Sequence, residues 1–233
     1  MKTDKHIVVI IPAFNEENSV GKVVNDIPKD WVREIIVANN NSNDATPINA
    51  KNAGAIVVDQ PIQGYGNACL KGMEYLVENN IHPDIVVFID ADYSDFPEQL
   101  IDLVKPIIEE DIDLVIGSRA TGNQEKRSMT PQQKFGNWLA TKLIKWIYKV
   151  EFTDLGPFRA VKYDSLLKIE MRDKTYGWTV EMQVKAAKLK MKCTEIPVDY
   201  RVRIGKSKVS GTVKGTIMAG YKIITTIFKY SRK

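Results

Sequence analysis

Five short apolar runs, each joined to the next by a polar loop and a stretch of helical spacing, constrain this chain more than any other feature. The runs are residues 6–11, 34–37, 55–59, 84–89 and 113–116. Between the first two, Val20, Val23, Val24 and Ile27 repeat at helical intervals, and Asn15 is the candidate cap of that helix. A short helix ends at Gly54, residues 64–78 read as loop then helix, and residues 97–110 as helix. Apolar strands with helical crossovers make a mainly parallel central sheet with helices on both faces, so the fold class is α/β. In such sheets ligands bind beyond the carboxyl ends of the strands. Those ends carry Asn15-Glu16-Glu17, residues 39–44, residues 63–67, residues 90–95 and Ser118-Arg119.

The second half is less regular. Residues 120–131 form a polar, basic loop. Residues 135–150 are amphipathic, with Phe135, Trp138, Leu139, Leu143, Trp146 and Ile147 on one stripe and Lys142, Lys145 and Lys149 on the other side. Residues 153–161 contain Gly156-Pro157 and read as strand or turn, 178–189 as helix and 194–202 as extended. A basic loop and a last helix, to about Tyr230, follow. Residues 1–210 read as one catalytic domain and 211–233 as a basic amphipathic appendage.

Composition narrows the function. A spanning helix needs about 18 or more consecutive apolar residues, and the longest candidate, around residues 223–228, is far shorter. Cys69 and Cys193 give no disulfide framework and no metal pair, which fits a reducing, cytoplasmic compartment. Two histidines, His6 and His82, are too few for a histidine-built metal site or a histidine-led triad. The formal net charge is +4, but residues 201–233 carry +9 and residues 120–150 carry +5, leaving −10 on the rest. Two basic segments on an acidic body point to an anionic partner, or to solvated lysines.

Asp90-Ala91-Asp92 closes a strand. Two carboxylates so spaced can share a hard cation, Mg²⁺ or Mn²⁺, that neutralises a diphosphate leaving group. The bland alternative is solvated loop carboxylates, with Asp95 capping the helix that Pro97 opens. Gly64-Tyr65-Gly66-Asn67-Ala68-Cys69 nearly matches a dinucleotide fingerprint, but Cys69 stands where its third glycine belongs. The two glycines could still let backbone approach a nucleotide. Gly205-Lys206-Ser207 resembles the end of a phosphate loop, yet the earlier glycine falls on Tyr200. Residues 201–208 gather four cations and a hydroxyl around one glycine, a composition suited to diphosphate oxygens or to an exposed loop. Asp154, beside the Gly-Pro turn, reads as a base or a turn residue. Glu181 reads as a base or as the i+4 partner of Lys185.

Taken in order, these motifs resemble the inverting family-two glycosyltransferases of GT-A fold, and most of all the polyprenyl-phosphate sugar transferases of the dolichol-phosphate mannose synthase type. The residues carrying the likeness are Pro12-Ala13-Phe14-Asn15-Glu16-Glu17, 39–46, Asp90-Ala91-Asp92, Gly117-Ser118-Arg119, Asp154 to Arg159, and Arg203-x-Gly-x-Ser207-Lys208. They span about residues 7–210. The likeness implies a Rossmann-like nucleotide-diphospho-sugar transferase fold and inversion by direct attack on the anomeric carbon. It implies that Pro12, Ala13, Asn15, Glu17, Asn39, Asn41, Gly64, Gly66, Asn67, Asp90, Ala91, Arg203, Ser207 and Lys208 hold a UDP- or GDP-sugar. Asp90 and Asp92 would hold the metal, and Arg119, Asp154, Arg159 and Glu181 would serve catalysis. An acceptor phosphate is already ionised and needs no base. A hydroxyl acceptor needs one, and Asp154 or Glu181 would serve. One departure stands out: Asn39-Asn40 replace the family's usual acidic pair, so base recognition by a carboxylate there is lost.

The expected partners are a nucleotide sugar, a polyprenyl phosphate and an anionic membrane surface. The expected location is cytoplasmic, peripheral at the cytoplasmic face of the membrane. A hydroxyl acceptor and a nucleotidyltransferase are the alternatives. No nucleic-acid motif is present, and no nucleic-acid partner is expected.

Overall fold

The computed structural model describes residues 3–205 and 213–231. Its strands are β1 Ile7–Ala13, β2 Glu34–Asn39, β3 Ile56–Asp59, β4 Ile85–Phe88, β5 Leu114–Ser118, β6 Arg159–Lys162 and β7 Cys193–Pro197. Its helices are α1 Val20–Asp26, α2 Thr46–Asn52, α3 Tyr65–Glu78, α4 Leu100–Glu109, α5 Pro131–Tyr148, α6 Tyr163–Ile169, α7 Trp178–Lys188 and α8 Val213–Lys229. A 3₁₀ turn, Pro97–Gln99, leads into α4.

One sheet runs in the order β3-β2-β1-β4-β6-β5-β7. All pairings are parallel except those of β6, which lies antiparallel to both β4 and β5. β1 is buried along its whole length, and its residues alternate between the two faces. Val8 and Ile10 join the apolar cluster under α3, α5, α7 and α8, with Trp178, Leu166 and Ile227. Ile7, Val9 and Ile11 join the cluster under α1 and α4, with Val20, Val24, Leu103 and Val104. The expected α/β sheet covered on both faces is the observed one.

Two local expectations are corrected. Asn15 does not cap α1, which starts after Ser19. Asn15 instead takes a left-handed conformation, φ 52°, and its side chain accepts from the Asn43 N–H at 2.8 Å. Asp95 caps nothing: Phe96 holds the capping position before Pro97. The segment 153–161, read as strand or turn, is a loop that enters strand β6 at Arg159, and the short helix α6 follows it. The last helix packs on α5. Tyr148 of α5 donates to the Ile227 carbonyl at 2.7 Å, and Ile227 is fully buried.

The chain leaves β1 for β2 and β3 on one side and returns for β4 on the other. The strand order therefore switches between β1 and β4, and their carboxyl ends flank a crevice.

Candidate active site

Two acidic segments meet at that crevice: Glu16 follows β1, and Asp90 and Asp92 follow β4. Arg203 bridges them, its Nη2 at 2.6 Å from Glu16 Oε1 and its Nη1 at 3.1 Å from Asp92 Oδ2. The chain beyond β7 carries Arg203 there by running back over the loop after β4. Arg201 N–H donates to Ser94 O at 3.0 Å and Ile204 N–H to Asp92 O at 2.9 Å. The Arg201 guanidinium stacks 3.5 Å from the Tyr93 ring centre and 4.1 Å from that of Phe96. The basic segment and the acidic loop are thus one structural unit. Ser207 and Lys208 lie outside the described residues.

The other oxygen of Asp92 accepts from Ser94 N–H at 2.9 Å and from its hydroxyl at 2.5 Å. Asp90 accepts from the Tyr65 hydroxyl at 3.0 Å. Burial, and then the charge of Asp92, push the Asp90 carboxyl up to about 7. Asp95 is 1% exposed and neither of its oxygens has a hydrogen-bond partner among the described residues. Burial, and next the charge of Asp90, raise it well above the carboxylate range. Carboxylates so crowded suit a divalent cation, and Arg203 already supplies positive charge at Asp92. Among the described residues no three acidic, histidine or cysteine side chains converge as a ready metal cage. A cation there would take few protein ligands and keep room for water and phosphate oxygens.

Arg119 follows β5 and forms a two-point pair with Asp154. Nε lies 2.8 Å from Oδ2 and Nη2 2.8 Å from Oδ1, and the Arg119 N–H also donates to Oδ2. Asp154 is fully buried. Beside this pair opens a cavity of about 590 Å³, lined among others by Lys134, Asn137, Trp138, Lys142 and Asp154.

Arg159 and Glu181 are not presented to the cleft. Arg159 is fully buried and donates to the carbonyls of Leu155, Gly156 and Thr179. It holds the Gly-Pro turn, and burial lowers its guanidinium to about 10. Glu181 is also fully buried. It accepts from the Arg172 and Asp173 N–H groups at 3.0 and 2.6 Å and from Tyr230 at 2.5 Å, and pairs with Lys185 at 2.9 Å. Burial works against its charge, but these donors outweigh it and hold Glu181 below its ordinary range.

At the ends of β1, β2 and β3, Ala13, Asn39 and Asp59 stand in register. Pro12, Ala13 and Ala91 are buried. Asn15 and Glu17 are stitched to the loop after β2: Asn15 N–H donates to Ser42 Oγ at 3.0 Å, and Glu17 accepts from Ala45 N–H at 3.1 Å. Asn41 is exposed at φ 62°. Gly64 and Gly66, read as glycines that let backbone approach a nucleotide, stand against residues 173 and 174 of the chain itself. A Cβ at Gly64 would lie 2.2 Å from Lys174 O, and one at Gly66 2.0 Å from Asp173 O. Gly66 and Asn67 spend their N–H groups on Thr175 O and Lys174 O. The glycines admit the chain's own backbone.

Sequence reasoning left Glu16, Tyr65, Asp95 and Asp59 outside the site. Glu16 sat inside a quoted motif, and only its pairing with Arg203 sets it apart. Tyr65 carried no signal until α3 aimed it at Asp90.

The family model for glycosyl transferase family 2 matches residues 8–169. The chain belongs to glycosyl transferase family 2. It is 30% identical over 208 residues to a dolichyl-phosphate hexose transferase of Haloferax volcanii, covering 87% of this chain and 86% of that protein. It is 28% identical over 224 residues to the undecaprenyl-phosphate mannosyltransferase of Micrococcus luteus, covering 90% and 89%. Among solved structures it resembles glucosyl-3-phosphoglycerate synthase of Mycobacterium tuberculosis, crystallised with Mn²⁺, UDP and phosphoglyceric acid. The TM-score is 0.74 at 21% identity, over 98% of this chain and 79% of that one. This glycosyltransferase has the GT-A fold.

Proposed function

We propose that this glycosyltransferase moves a sugar from a UDP- or GDP-sugar to a polyprenyl phosphate, with inversion. An acceptor phosphate oxygen forms the bond to the anomeric carbon as the bond to the diphosphate breaks, and the nucleoside diphosphate leaves with the electron pair. The observation that carries this reading is the state of the two candidate bases. Both oxygens of Asp154 are committed to Arg119, and both oxygens of Glu181 to other donors. A hydroxyl acceptor requires a free base, whereas a phosphate is ionised already. The cavity beside Asp154 supports the same acceptor: Lys134 and Lys142 line it, its two carboxylates Glu151 and Asp154 are paired with Lys145 and Arg119, and Trp138 gives it an apolar wall. The named activities of the Haloferax and Micrococcus relatives agree.

Asp90 and Asp92 would hold Mg²⁺ or Mn²⁺, which, when bound, neutralises the departing diphosphate. Arg203 would move from Asp92 to phosphate oxygens, and Ser207 and Lys208, outside the described residues, are proposed to bind the same diphosphate.

Docking at an anionic membrane surface follows from the acceptor. Among the described residues no helix is long and apolar enough to cross a membrane. Phe135, Trp138 and Trp146 of α5 are exposed, alongside exposed Lys142, Lys145 and Lys149. Ile217, Met218, Tyr221 and Phe228 of α8 are exposed too. That mix of aromatics and lysines belongs to helices lying in a membrane interface. Tyr148, on the same helix, instead bonds inward to Ile227.

The test is a donor screen with purified protein, Mn²⁺ or Mg²⁺, undecaprenyl or dolichyl phosphate, and UDP- and GDP-sugars. Transfer of one sugar to lipid is the expected result. Release of pyrophosphate from a nucleoside triphosphate and a sugar 1-phosphate, with no transfer from the UDP- or GDP-sugars, would instead make the protein a nucleotidyltransferase.

A further inference from the structure

We infer that Asp59 is the carboxylate that reads the donor's base, standing in for the acidic residue that Asn39 replaces; this rests on the nucleotide-sugar reading above. Asp59 ends β3 directly opposite Asn39 of β2, which in turn faces Ala13 of β1. The three positions form a row along the carboxyl edge of the sheet, where a ligand of this fold lies. The Asn39 amide is fixed at both ends. Its oxygen accepts from Ser42 N–H at 3.2 Å, and its nitrogen donates to Asp59 Oδ1 at 2.8 Å.

That orientation has a chemical result. One amide N–H of Asn39 remains free, next to a carboxylate whose second oxygen has no partner among the described residues. Asn39 is 8% exposed, whereas Asp59 is exposed and open to a ligand. A neutral amide at position 39 offers a ring N–H no charged acceptor. The Asn39–Asp59 pair offers a charged acceptor and a donor side by side. A base with a ring N–H beside a carbonyl meets both: uracil through N3–H and O4, or guanine through N1–H and O6. Guanine adds its exocyclic amine to the same carboxylate. The role of Asp59 is specificity, since it lies at the base end of the row and not at Asp90 and Asp92.

The experiment is calorimetry at fixed Mn²⁺ with UDP, GDP, CDP, ADP and inorganic pyrophosphate. Wild type should prefer UDP or GDP over CDP and ADP. Asp59→Asn should weaken the preferred nucleotide by about tenfold to a hundredfold, as for a lost charge-assisted hydrogen bond, and leave pyrophosphate unchanged. Asp59→Glu, which keeps the charge, should recover part of the preference, and thermal melting of each variant reports its fold. Asp59→Asn binding like wild type, or losing pyrophosphate in equal measure, overturns the inference while sparing the nucleotide-sugar reading. Wild type binding none of the five ligands removes both.

Discussion

Arg203 is where two acidic strand ends are bridged by one cation, and its neighbour Asp92 is where that arrangement is most easily tested. Asp92→Asn keeps the shape of the side chain and removes one charge. Losing one such electrostatic contact typically costs about 10²–10³ in rate. Sugar transfer should fall by that order while the melting temperature holds. Full transfer by the variant in excess EDTA would exclude the role. Asp154 differs, because its charge is matched inside the protein. Asp154→Ala leaves Arg119, whose side chain is 12% exposed, without its counter-ion. Breaking a buried pair from one side costs about 3–5 kcal/mol, so urea unfolding should show a loss of that size. A loss below about 1 kcal/mol, the range of exposed pairs, would mean that the pair is solvated.

At the scale of elements, the loop 172–177 ties α8 to the start of α3. Lys222 of α8 pairs with Asp173 at 3.0 Å, Tyr230 reaches Glu181, and Glu181 holds the N–H groups of Arg172 and Asp173. Because Glu181 is held below its ordinary value of 4.5, its stabilisation is complete above that value and is lost as the pH falls through the folded one. The stability gap between wild type and Glu181→Gln should therefore be widest near neutral pH and close on acidification. A gap that does not change with pH would contradict this. The same loop shows what a sequence can carry. The glycines at 64 and 66 signalled close backbone approach, and the approach is real. What approaches is residues 173–175, distant along the chain, and no local pattern announces that pairing. β6 was read only as strand or turn, and α6 escaped notice, for a related reason. β6 has four residues and α6 seven, and β6 owes its place to pairing with β4 and β5, not to a pattern of its own. The five parallel-sheet strands of the first half were legible because burial on both faces leaves near-continuous apolar runs. The site followed from them, since strand ends locate the crevice. The partners within it, Arg203 with Glu16 or Arg119 with Asp154, came only with the tertiary structure.

At the scale of the whole molecule, the cavity beside Asp154 and the exposed aromatics of α5 are continuous, for Trp138 both lines the cavity and faces solvent. A polyprenyl phosphate could place its head in the cavity while its tail stays in the bilayer. Each lysine or arginine near an anionic surface contributes about 1 kcal/mol, so the protein should sediment with anionic liposomes at low salt. Release by salt, and reduced binding of Trp138→Ala with Trp146→Ala, complete that expectation; wild type remaining in the supernatant at low salt would exclude docking. The nature of the acceptor is decided most directly by offering one lipid in two forms, polyprenyl phosphate and the corresponding polyprenol, with the donor identified by the screen. Transfer to the phosphate alone, abolished in Asp92→Asn, is the predicted result. Transfer to the alcohol at a comparable rate would contradict it, and would require a base that neither Asp154 nor Glu181 is free to be.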